Sequence, residues 1–260
     1  MATAAGTVEH ITPERAERRF FFIMALVMGA IIVAGFAFNF AMGRSSIDVP
    51  IVYHIHGMVF FAWIAIYIAQ NGLIAANNVA LHKRLGVIAL VWVPLMVALG
   101  FAIMIVSMRR TGGPFFFDQN EFLISNTLAL LCFAGLVFAA LRQRRYMGWH
   151  RRLMFVAMAS LTGPGLGRLL PMPLLMPHAW RIMFLLMMIF PLIGMIADRR
   201  RHGRVHPAWL WGVGALLATQ IIADLIAYSP IGVSLTGWVL EGTPGAERPM
   251  LAFMPPGFTM

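Results

Sequence analysis

Four of the eight histidines in this sequence stand where side-chain chemistry is within reach. His54-Ile55-His56 opens an apolar run after Asp48 and Pro50, a pair that suits a helix start. Residues two apart on a helix point roughly 200° from each other, so one of the two faces a bundle. His56 is the deeper and is expected to be that one. It reads as a metal or haem ligand or a proton-handling group. The alternative is an interfacial imidazole bonded to a backbone carbonyl or a headgroup. His82 and His150 each open a helix beside two cations, in Leu81-His82-Lys83-Arg84-Leu85 and Trp149-His150-Arg151-Arg152-Leu153. A helix amino terminus repels positive charge and leaves such imidazoles neutral. Two neutral imidazoles at equal depth on two helices are what axial haem ligation requires. The alternative here is a pair of anchors whose neighbouring cations meet lipid phosphates.

A second group is charged and polar. Glu121 and Asn126 open one apolar run, Arg168 closes another, Arg181 opens a third, and Asp224 lies about one turn inside the end of a fourth. Asn39 ends the first. Intramembrane charges are costly and mark function by default. These residues read either as a polar pocket opening to one face or as an ion pair closing the bundle, with Arg168 or Arg181 as the partner of Asp224. The 20 methionines suit Cu(I) handling in principle. Ordinary gap-filling in apolar packing accounts for them as well. Cys132 is the only cysteine, so no disulfide forms within the chain. No Gly-x-x-x-x-Gly-Lys loop, Gly-x-Ser-x-Gly elbow or His-Glu-x-x-His pair occurs.

The elements that position these residues follow from composition. Of 260 residues, 60% are hydrophobic and 12% charged. Soluble domains carry about a quarter charged residues, and one this apolar has nowhere to put its surplus surface except a bilayer. Seven runs approach the roughly 20 apolar residues of a spanning helix: 20–42, 51–73, 86–108, 121–141, 153–170, 180–197 and 208–228. Gly163-Pro164-Gly165 interrupts the fifth, and Pro94 and Pro191 lie inside the third and sixth. The net charge is +10, but the cations sit in short clusters between apolar runs, which argues against nucleic acid as a partner. Fourteen of the 20 Lys and Arg fall on one side, around Arg15, Lys83, Arg144, Arg151 and Arg200. Six fall on the other, at Arg44, Arg109, Arg110, Arg168, Arg181 and Arg248. The positive-inside rule places the first side, and residues 1–19, in the cytoplasm, and a seventh crossing leaves 229–260 as an extended periplasmic tail. Trp149, Trp180, Trp209, Trp211 and Trp238 near run ends form an aromatic belt. The first run is too long for a signal-peptide core and reads as a retained helix. The expectation is an all-α polytopic bundle, one transmembrane domain over 1–260.

His82 and His150 are 68 residues apart, and the motifs around them suggest two helical hairpins related by a parallel repeat. With His54-Ile-His-Gly-Met-Val-Phe-Phe-Ala-Trp and Gln70, these motifs resemble a group of bacterial multi-pass inner-membrane proteins that carry a His-x-His-Gly segment and repeated His-Arg-Arg-Leu motifs. The His-Arg-Arg-Leu-Gly pattern is distantly similar to stretches of b-type haem membrane proteins and of haem or oxidase assembly proteins. The resemblance covers roughly the second to fifth runs. It implies a bacterial inner-membrane setting and haem b held by His54 or His56, or by His82 and His150. Three functions stay open: a haem-binding redox or respiratory-enzyme assembly protein, a non-catalytic accessory subunit of a larger membrane complex, and a small-molecule or proton-coupled transporter. A pairing of iron ligands within consecutive spans, usual in such haem proteins, is not repeated here, since nothing in the fourth run matches His56.

Overall fold

Backbone hidden from water inside lipid satisfies its N–H and C=O groups by winding into helices. The computed structural model describes residues 13–257, and among them every regular element is a helix. The elements are α1 (Pro13–Ala41), α2 (Ile51–Ala75), α3 (Val79–Gly86), α4 (Ala89–Thr111), α5 (Gln119–Arg142), α6 (Met147–Ser160), α7 (Gly163–Leu169), α8 (Ala179–His202), α9 (Pro207–Ala227) and α10 (Pro230–Leu240). Local chemistry sets several ends. Gly112 and Gly203 take left-handed φ values of 74° and 70° after α4 and α8, and prolines start α9 and α10.

Six helices, α1, α2, α4, α5, α8 and α9, are long and apolar enough to cross a membrane. The outward faces carry apolar side chains, as at Leu185, Ile189, Leu192 and Ile196, one stripe along α8. Lipid is the solvent such a surface fits. The protein is an all-α polytopic bundle of the membrane type.

The fifth apolar run departs from a single helix. It breaks after Ser160 into α6 and α7, neither long enough to span alone. Thr162 Oγ1 donates to Ala159 O at 2.7 Å across the break, returning one backbone group to a partner. The two pieces still run side by side with α1. Arg151 and Arg152 meet Glu17 at one end, and Gly165 meets Ile32 and Gly35 at the other. Those contacts cover about 27 Å of α1 at 1.5 Å per residue.

The third run also starts differently: α3 is a separate short helix before α4. Of the N-terminal segment 1–19, residues 13–19 form the first turns of α1, and 1–12 lie outside the described residues. The segment 229–257 is not simply extended, and 258–260 lie outside the described residues. It forms α10, whose Gly232, Thr236, Val239 and Leu240 are buried, and then crosses the end of the bundle. There Arg248 donates to Gly113 O and Phe117 O at 3.0 and 2.8 Å, and Gln119 donates through its side chain to Gly245 O at 2.8 Å. Carbonyls of the turn between α4 and α5 thus gain partners from a segment that hydropathy alone leaves unassigned.

Helices α1 and α7 cross through glycine. A Cβ at Gly35 would run into the Gly165 carbonyl, and one at Gly165 would stand 2.7 Å from Ile32 Cα. Such approach is the usual small-residue device of helix association in lipid. Gly35→Ala should therefore separate α7 from α1 and lower the melting temperature in detergent. Gly135→Ala, in α5 with open space around its Cβ position, should be neutral or stabilising by up to about 1 kcal/mol. Equal melting temperatures for the two variants would show that the crossing does not depend on the glycines.

Candidate functional site

The four histidines divide between the two ends of the bundle. His54 and His56 sit at the start of α2, and Gln70, which touches His82, sits near its end. The intervening 14 residues amount to about 21 Å. The histidines therefore form two places rather than one.

At the end where α2 finishes, His82 and His150 come together. Their ring centres are 6.2 Å apart with planes at 77°. Each ring is anchored by its own helix junction. Asn78 caps α3 by accepting from Leu81 N at 3.2 Å, which sets His82 in the first turn. The Gln70 amide, turned to satisfy its neighbours, accepts from Gly86 N at 3.0 Å and donates to His82 O and Nδ1 at 3.1 and 2.6 Å. His150 Nδ1 donates to Ala140 O at 2.9 Å, one of the last carbonyls of α5. With the proton on Nδ1, the lone pair of His150 is at Nε2, the tautomer of an anchored metal ligand. Burial, and then the neighbouring His150, holds the His82 imidazole below its ordinary pKa and so neutral at pH 7.

At the opposite end, His54 Nε2 lies 3.1 Å from Ile47 O and stays local. His56 stacks on Phe60 with ring centres 4.1 Å apart, and its buried Nδ1 has no hydrogen-bond partner. Arg168, in the last turn of α7, lies 3.9 Å above the Phe36 ring and donates to Pro164 O at 2.8 Å. The acids at this end gather around Arg181 instead. Its guanidinium stands 3.6 Å from Glu121 and 3.5 Å from Asp224. Gln220 donates to Asp224 at 2.9 Å and accepts from Trp180 Nε1 at 3.1 Å. Glu121 is 2% exposed, and its Oε1 accepts no hydrogen bond. Asn126 turns back on its own helix, donating to Phe122 O at 2.7 Å. Of the polar group read from the sequence, Glu121, Arg181 and Asp224 are thus brought together, while Arg168 and Asn126 are held elsewhere.

Of the four buried charged residues among those described, three, Glu17, Arg152 and Asp198, were not singled out from the sequence. Arg152, 2% exposed, grips Asp198 with two bonds of 2.7 and 2.6 Å and Glu17 with one of 2.9 Å. Arg151 reaches Glu17 at 2.7 Å, Trp209 Nε1 donates to Asp198 at 2.9 Å, and His206 N donates to it at 3.3 Å. One guanidinium thus links α1, α6 and α8, and α9 joins them through Trp209 on Asp198. Glu17, Asp198 and His202 also place their ligand atoms within 4.8 Å of one another. A cation there would have to displace two guanidinium groups, so the cluster reads as structural. The missed signal was an acid inside each of two arginine clusters: Glu17 among Arg15, Arg18 and Arg19, and Asp198 before Arg199, Arg200 and Arg201.

Arg152→Met would leave two carboxylates buried with too few donors, at a cost of about 3–5 kcal/mol. The expected readout is a large drop in detergent melting temperature, with a smaller drop in R152M/D198L, where charge is removed from both sides. A single variant as stable as wild type would refute the role given to Arg152. Acid acts through histidine at the same end. Burial first, and then Arg152, holds the His206 imidazole below its usual pKa, so the fold keeps it neutral. An unfolded chain protonates it near pH 6.5. That stability is complete above about pH 6.5 and is lost as pH falls from there through the lowered folded value. His206→Asn keeps an acceptor for the Ala208 N–H and should flatten the fall in melting temperature between about pH 7 and 5.

Comparison of the chain with protein-family models, with curated proteins and with solved structures finds no match.

Proposed function

We propose that this protein is a cofactor-handling redox or respiratory-assembly protein of the bacterial inner membrane, in which His82 and His150 hold a metal centre, haem b foremost. One observation carries the reading: two histidines 68 residues apart, in repeated motifs, present their rings to each other at 6.2 Å. Two neutral imidazoles this close, supplied by two helices, are a donor set that haem iron or another transition metal takes. The donor chemistry fits as well. His150 Nδ1 donates to Ala140 O and leaves a lone pair on Nε2, and the burial-lowered basicity of His82 leaves it neutral. His82 and His150 would hold the group, with Gln70 and Ala140 O orienting the two rings. The bound iron would supply one-electron chemistry, and the protein's part is to fix the two rings and shield them. In this reading the fifth crossing is made by α6 and α7 together. Seven crossings then place the arginine-rich end, with the histidine pair, in the cytoplasm and α10 at the periplasmic face.

Purified full-length protein should bind haem with a Soret band that shifts or disappears in His82→Ala and in His150→Ala. The band should persist in His54→Ala and His56→Phe. A protein that gives no bound-haem spectrum on reconstitution, or whose spectrum survives both inner-end substitutions, overturns the assignment. A second reading, an accessory subunit of a larger membrane complex, is favoured by α10. Ile231, Leu235 and Trp238 form an exposed apolar stripe there, beside the ordered end of the chain. Stoichiometric co-purification with a larger assembly that is lost in Trp238→Ser would support this second role, and unchanged recovery would refute it.

A further inference from the structure

We propose that the groove between α1 and α8 at the arginine-rich end of the bundle binds one anionic phospholipid, with its phosphate on Arg200 and Arg201 and an acyl chain on Phe20, Ile193, Ile196 and Ala197. The site goes beyond the redox reading and shares no residue with the histidine pair. These six residues line one groove of about 420 Å³, within the roughly 300–1,000 Å³ of small-molecule clefts. Its polar and apolar linings are sorted along α8. Ile196, Ala197 and Arg200 stand three, four and seven positions after Ile193, which puts the four on one helix face. The arginines end that face, and Ile193 lies about 10 Å deeper along the axis. A charged mouth over an apolar track matches a lipid, with its headgroup at the interface and its chain toward the hydrocarbon.

The sign of the headgroup follows from the charges at the mouth. Among the described residues no carboxylate stands within ion-pairing distance of Arg200 or Arg201. The two buried acids at this end are already taken, Glu17 by Arg151 and Arg152, and Asp198 by Arg152. Arg201 Nη1 is buried and has no hydrogen-bond partner. Two uncompensated guanidinium groups beside hydrocarbon call for an anion, and a phosphodiester presents oxygens that suit the planar fork. No acid lines the groove, so the ammonium of a zwitterionic headgroup finds no partner there.

The fold also holds the Arg201 donors in place. The guanidinium carbon lies 4.4 Å from the centre of the Phe20 ring, and Phe20 stacks on Phe155 at 6.3 Å with planes 8° apart. A ring under a guanidinium occupies its flat side and leaves the N–H edge for an oxygen acceptor. Phe20 lines the groove as well, so one ring joins the headgroup end to the chain end. Ile193 and Ile196 stay exposed along the track. A free phosphate would use the two arginines and leave that apolar track bare, whereas a lipid covers both.

The test uses the full chain, delipidated in detergent and titrated with phosphatidylglycerol or with phosphatidylethanolamine of the same acyl chains. Native mass spectrometry counts the bound lipids. Wild type should bind one phosphatidylglycerol about ten-fold or more tightly than phosphatidylethanolamine, and R200Q/R201Q should lose that preference. R144Q/R145Q, which removes two exposed arginines of the turn between α5 and α6, should keep it. Ile196→Trp fills the apolar track with both arginines in place and should weaken phosphatidylglycerol binding by a similar factor. Inorganic phosphate in excess should leave the lipid bound. Equal affinity of wild type for the two lipids, equal binding in wild type and R200Q/R201Q, an equal loss in R144Q/R145Q, or displacement by inorganic phosphate overturns the proposal. If R200Q/R201Q fails to fold, Ile196→Trp carries the test, and unchanged phosphatidylglycerol binding in that variant overturns the site.

Discussion

The Arg152 guanidinium and its two acids fix the level of four helices at one end of the bundle. The planar guanidinium fork meets Asp198 with two bonds and Glu17 with a third, and Trp209 and Arg151 fill further positions on the two acids. Three charges this deep are tolerable only because each is answered by the others. Their mutual requirement gives an apolar bundle something that packing alone does not supply. Hydrocarbon surfaces slide past one another at small cost in lipid, whereas a bidentate pair has one register. The aromatic layer of Phe21, Phe155 and Trp209 lies just beneath it, with Phe155 and Trp209 edge to face at 5.0 Å, so polar register and apolar packing agree.

The same logic explains why the fifth apolar run is broken without being lost. Gly163, Pro164 and Gly165 give up part of a backbone ladder in the membrane, where unsatisfied groups are expensive. What is gained is the close approach of α7 to α1. A continuous helix with ordinary side chains would stand farther off, and Arg168 would not lie on Phe36. Arg151 and Arg152 at the head of α6 and Arg168 at the tail of α7 are therefore held differently. The first two are neutralised by acids, and the last is shielded by an aromatic face and left with spare donors.

Much of the architecture was legible because the bilayer imposes it. Hydropathy finds the six long helices, with most ends within three residues and the charged ends of α1 and α8 missed by seven and five, and the Gly-Pro-Gly interruption marks the break. Segment 229–260 was misread because α10 has 11 residues, too few to span, and its order comes from distant partners such as Gly113 and Phe117. The pairing of Asp224 was narrowed to two arginines. The choice of Arg181 depends on helix rotation, which spacing does not encode. Arg152 was invisible for a different reason. In sequence it is one cation among many at a cytoplasm-like loop, and its two acids are each outnumbered by adjacent arginines. The positive-inside tally counts such residues as topological charge and cannot separate the few that turn inward.

The histidine pair shows a different case. His82 and His150 lie in similar short stretches of sequence, and each falls in the first turn of its own helix. That placement alone leaves the rings anywhere around two helices. Their meeting at 6.2 Å needs the anchors as well: Gln70 spanning His82 and Gly86, and the open Ala140 carbonyl receiving His150. These partners sit on α2 and α5, outside both motifs, and each uses a group that a helix end or junction leaves free. The pair is therefore a property of four helices. His56 lies about 21 Å from Gln70 along α2, so the histidine pair and the Arg168 end are separate places, and the two ends of this bundle can be dissected by substitution one at a time.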